Sequence, residues 1–123
     1  MADFTSAAVN RILSWFFTPD DAPRPTQFYL ALFSANVEIV YAPGYVRQPV
    51  AFHLNPHGPG EIVNSHAVNF VAGMAGFPTV NKIILFETAA GGFPLWEKQI
   101  AERNVNSYET LRIQTEAILI KLT

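Results

Sequence analysis

The sequence predicts an all-β domain, an antiparallel β-sandwich or jelly-roll-like fold of about eight strands with one N-terminal helix. Three observations predict it. Short runs of β-branched and aromatic residues recur along 26–123, separated by Gly, Pro and Asn turns. Thr79 to Phe86 and Phe93 to Ile100 flank Glu87-Thr88-Ala89-Ala90-Gly91-Gly92, a hairpin pattern whose glycines supply the positive φ of a tight reversal. Helical spacing is confined to the N-terminal segment, 1–18.

That segment predicts a helix over Ala2 to Phe17. Phe4, Ala8, Ile12 and Trp15 recur at helical intervals, and Val9, Leu13 and Phe16 widen the apolar stripe. Asp3 or Thr5 is the expected cap. Pro19, Pro23 and Pro25 end the helix, with the adjacent acids Asp20-Asp21 in a solvated turn. So wide an apolar face must pack on a sheet or on a neighbouring chain.

Strands follow from Gln27. Phe28 to Phe33 is apolar throughout, as in a strand buried on both faces. Val37 to Tyr41 predicts a short strand, and Tyr45 to Leu54 another after the Pro43-Gly44 turn. Pro49 lacks a backbone donor, which places that strand at an edge or a bulge. Asn55 to Gly60 is a loop, Glu61 to Phe70 holds one or two short strands, and Val71 to Pro78 is irregular. Beyond the hairpin, Ala101 to Tyr108 predicts a polar connection, Thr110 to Thr115 a strand and Ala117 to Leu122 the last one. The chain, 1–123, fits a single domain without internal repeats.

Composition narrows the function classes. Charged residues make up 15% of the chain, against about 25% in an average soluble domain. Apolar surface covered in an assembly accounts for that, as does an uncharged β-domain with Asn, Thr and Ser outside. Net charge is −2 and the basic residues are scattered singly, so there is no footprint for nucleic acid. Cysteine is absent, which excludes a disulfide framework. Met1-Ala2-Asp3-Phe4 lacks a basic leader region, and no apolar run reaches the ~20 residues of a membrane span. A protein made soluble in a cytoplasm is expected.

Catalytic chemistry has no visible carrier. His53 and His57 are separated by Pro56, so no helix presents them together to a metal, and His66 is distant. There is no Gly-x-Ser-x-Gly elbow, and Gly73-Met74-Ala75-Gly76 is too short for a phosphate cradle. A non-enzyme without metal or cofactor is expected. The aromatics are the remaining candidates. Trp15, Phe16 and Phe17 cannot all point to one side of a helix, so at least one faces a partner. The candidate interface residues are Trp15, Phe16, Phe17, Tyr41, Tyr45 and His57.

Several stretches carry a resemblance: Tyr29 to Ser34, Gly44 to Phe52, Asn64 to Phe70, Ala89 to Trp96, Val105 to Leu111 and the final strand. In their order and spacing the chain resembles small virion proteins of tailed bacteriophages, of the tail fibre or capsid decoration (cement) type. Glu87 after Phe86 and Tyr108-Glu109 before Thr110 depart from that pattern. The resemblance implies a structural virion component. A fibre shaft needs length or repeats, and the chain has neither. The leading expectation is therefore a capsid cement protein that binds the major capsid protein or other virion proteins, and that forms a homo-oligomer. Its contacts to the capsid shell or a second copy would come from the N-terminal helix or the 55–60 loop, with the 35–45 segment as an addition. A tail or tail-fibre-associated protein is the alternative. A carbohydrate-binding β-domain using Trp15, Trp96 and the tyrosines is the second.

Overall fold

The computed structural model describes residues 2–19 and 25–121. In chain order the elements are β1 (Ala2–Phe4), α1 (Ser6–Phe17), β2 (Phe28–Ser34), β3 (Val37–Glu38), β4 (Gln48–Val50), β5 (Phe52–Leu54), β6 (Glu61–Asn64), β7 (Val68–Val71), β8 (Phe77–Phe86), β9 (Trp96–Val105), β10 (Thr110–Ile113) and β11 (Leu119–Lys121). The main sheet runs β1-β9-β8-β2-β3, with β4 also paired to β2. A two-stranded sheet β10-β7 and a three-stranded sheet β11-β6-β5 accompany it. Every pairing is antiparallel. The fold is all-β and sandwich-like.

The core joins the sheets. Leu30 and Leu32 of β2, Ile83 and Leu85 of β8 and Trp96 of β9 meet Val68 and Phe70 of β7, Leu111 of β10 and Ile120 of β11. β2 is buried on both faces as its composition predicts, because Ala31 points the other way into a small cluster with Ile84 and Phe86. Tyr29 pairs with Pro49 where β4 lies at the margin of the main sheet, which tolerates the missing donor.

The N-terminal helix is shorter than its periodicity predicts. Residues 2–4 form β1, with Phe4 opposite Trp96, and α1 begins only at Ser6. Thr5 decides the boundary. Its Oγ1 accepts from the Ala8 N–H at 3.2 Å as the helix cap and donates to the Pro94 carbonyl at 2.8 Å. Its own N–H donates to Leu95 O at 2.9 Å. Sheet pairing outcompetes one further helical turn because it brings Phe4 onto the core.

Other boundaries shift for similar reasons. The hairpin return begins at Trp96 rather than Phe93, leaving a long 87–95 loop instead of a tight reversal. β8 starts at Phe77 and β9 runs to Val105, so parts of the stretches expected to be irregular or connecting are strand. Register shifts between Phe77 and Val80 and between Val80 and Lys82 interrupt the regular β8–β9 ladder. Phe77, Val80, Ile83 and Leu85 therefore all reach the core despite their uneven spacing. The expected strand 45–54 breaks at Ala51 into β4 and β5, which belong to different sheets. Gly76 has φ +70, and a Cβ there would lie 2.5 Å from the Val105 carbonyl oxygen, so the entry to β8 requires glycine. The expected Asp20-Asp21 turn and Pro23 lie outside the described residues, as does Leu122.

Candidate interaction surface

The sequence-predicted contact residues separate into three groups. Phe16 and Phe17, at the end of α1, are exposed, with their rings edge to face at 5.0 Å. Tyr41 is exposed in the turn after β3, and His57 is exposed in the 55–60 loop, where its N–H donates to Asn55 Oδ1 at 3.1 Å. Trp15 is half-buried on the opposite flank of the helix, with the Arg11 guanidinium 4.9 Å from its ring centroid.

Tyr45 corrects the expectation of an exposed contact. It is 9% exposed and packs in the core against Phe70 and Phe77. Its hydroxyl donates to Glu38 Oε2 at 2.6 Å and accepts from the Leu32 N–H at 3.2 Å. Trp96 is likewise buried, so its ring is closed to a sugar.

Tyr45 belongs to a polar cluster that sequence reasoning missed. Arg47 holds Glu38 with two bonds of 2.8 Å, from Nε to Oε2 and from Nη2 to Oε1. Its Nη1 donates to the carbonyls of Thr88 and Gly91 at 2.9 and 2.8 Å. The guanidinium also lies 3.7 Å over the Phe86 ring. Burial pushes the Glu38 carboxyl up, but the bonds from Arg47 and Tyr45 and the charge of Arg47 outweigh it, leaving the group below its ordinary value. Burial and the hydrogen bond to Glu38 raise the Tyr45 hydroxyl. The bond to Glu38 raises Arg47, so the pair stays ionised. The cluster ties the β3–β4 connection to the 87–95 loop. Opposite charges nine residues apart across a Pro-Gly turn were the only available signal, and such spacing has no periodic meaning.

Beneath α1 lies an apolar cavity of about 300 Å³, lined by Ala8, Ile12 and Trp15 from the helix and by Phe28, Phe52 and Leu85 from strands. Arg11 stands at its margin, paired with Glu87 at 2.8 Å. The helix therefore touches the body through few side chains, and Ala8 is its buried residue.

The histidines are exposed, and His53 Nδ1 lies 3.0 Å from Ser65 Oγ. Among the described residues no three His, Asp or Glu side chains gather as a metal set. No helix of the described residues is long and apolar enough to cross a membrane. What the arrangement offers is a rigid, internally satisfied block with exposed aromatic side chains at its margins.

No curated protein matches the chain. A family model described as "Podophage GP4 fiber I protein gp80" matches residues 3–121, which is nearly the whole sequence and includes both the helix and the last strand. The chain thus belongs to the Podophage GP4 fiber I protein gp80 family of phage fibre proteins.

Proposed function

We propose that this chain is a non-enzymatic structural module of a phage tail fibre, a compact β-block that joins or terminates the fibre rather than forming a repeating shaft. The observation that carries the reading is the fibre-family match over 3–121. It favours the tail-fibre alternative over the capsid cement protein that the lack of repeats suggests. The internal architecture supports the same role. The Glu38–Arg47 pair and the two-faced burial of β2 stiffen the block. Exposed Tyr41 and His57 offer contacts to other virion proteins, and stiff loops lose little entropy on docking.

Copy number in purified particles tests the proposal. Quantitative mass spectrometry against the major capsid protein is expected to give a few copies per particle, with antibody label at the tail. A value near that of the major capsid protein, with label over the head, would return the chain to the cement class.

A further inference from the structure

The α1 helix is apolar over about twice the arc that its own domain covers. At about 100° per residue, Ala8, Ile12 and Trp15 form one seam and Val9, Leu13 and Phe16 a second, roughly 100° away. The first seam faces the body and the cavity. The second faces outward: Val9 is 38% exposed, Leu13 50%, Phe16 81% and the adjoining Phe17 75%. A surface helix needs one apolar stripe. This helix has two.

We infer that the Val9–Leu13–Phe16 seam is a homotypic interface, with α1 of one copy packed against α1 of a second. Spacing of four then three residues allows the seam to interlock with a second helix, as it allows the Ala8–Ile12–Trp15 seam to pack on the body. α1 is the one helix among the described residues. Charge favours a second copy as well. Arg11 is the one charged residue of α1, and it is turned toward Glu87. The seam therefore neither repels its own image nor selects an oppositely charged partner. The area suffices: with roughly 200 Å² per aromatic side chain, the four residues leave on the order of 500 Å² per copy. A twofold contact would then remove about 1,000 Å², the lower bound for a specific interface. The edge-to-face pair of Phe16 and Phe17 supplies the aromatic anchor.

The inference concerns the chain alone in solution, so it stands or falls apart from the particle measurement. Sedimentation velocity of the full chain across a concentration series is expected to show association. Leu13→Glu should weaken it by more than about tenfold while leaving thermal unfolding unchanged at concentrations where the parent is monomeric. Leu13→Glu mixed with Leu13→Lys should associate again, because opposite charges then meet across the contact. The chain contains no cysteine, so single-cysteine variants report cleanly. Leu13→Cys should form an oxidised dimer far faster than Glu102→Cys, placed on exposed β9. A parent that remains monomeric, a Leu13→Glu variant that associates equally well, or equal cross-linking at 13 and 102 would each overturn the inference.

Discussion

Arg47 and Glu38 meet through two parallel 2.8 Å hydrogen bonds, with their side chains 5% and 15% exposed. This half-buried pair spans the turn between β3 and β4 and, through Arg47 Nη1, fixes the loop that leads into β9. Removing one partner strands the other. Arg47→Ala should therefore destabilise the protein by about 3 kcal/mol, measured by urea unfolding. Arg47→Lys should recover only part of the loss, since an ammonium cannot reproduce the planar fork or its place over Phe86.

The same pair predicts a pH dependence. The folded carboxyl of Glu38 lies below its unfolded value, so its stabilisation is complete above the unfolded value of about 4.3 and is lost as pH falls through the folded one. The Tyr45 hydroxyl is raised, so its contribution is complete below about pH 10 and disappears above its folded value. Thermal melts of the parent and Glu38→Gln should converge in strong acid, once pH has fallen through the lowered folded value, and differ most near neutrality. A difference that persists unchanged into strong acid would show that the carboxylate charge is not the source.

Asn64 is fully buried and carries three hydrogen bonds: its amide donates to His66 O and Gln114 O, and its Oδ1 accepts from the Ile118 N–H. It stitches the β6–β7 turn to the segment between β10 and β11. Asn64→Ala leaves those backbone groups unpaired and should lower stability by about 3 kcal/mol. Asn64→Asp should be worse, because a carboxylate would face two carbonyl oxygens.

Ala8 lines the 300 Å³ cavity under α1. Ala8→Leu should fill part of that space and raise stability by about 1 kcal/mol, seen as a rise in Tm of a few degrees. A fall in Tm would mean that the cavity walls cannot accommodate the larger side chain.

Thr5 holds the arm formed by β1 and α1. Thr5→Ala loses the helix cap and the bond to Pro94, and should cost about 1 kcal/mol. Amide exchange should quicken in α1 while the β2–β8 pairing keeps its protection.

The elements that could be read from the chain are those encoded in neighbouring residues. The apolar run 28–33 specifies β2, the alternation at Thr110 to Ile113 specifies β10, and the 3.6-residue period specifies α1. The exposed aromatics at 16 and 17 were legible too, because three consecutive aromatics exceed what one helix face can bury. Tertiary structure decided the rest. Residues 2–4 became a strand because β9 accepts them, and Thr5 finds Pro94 across 89 positions. Tyr45 looked like a surface tyrosine until Glu38 and Leu32 supplied partners for its hydroxyl inside the core. Register shifts between β8 and β9 hid the inward face of β8 from any period-two reading. Local periodicity records which side chains share a face. Which faces meet depends on contacts between distant segments, and no short window of sequence contains both partners.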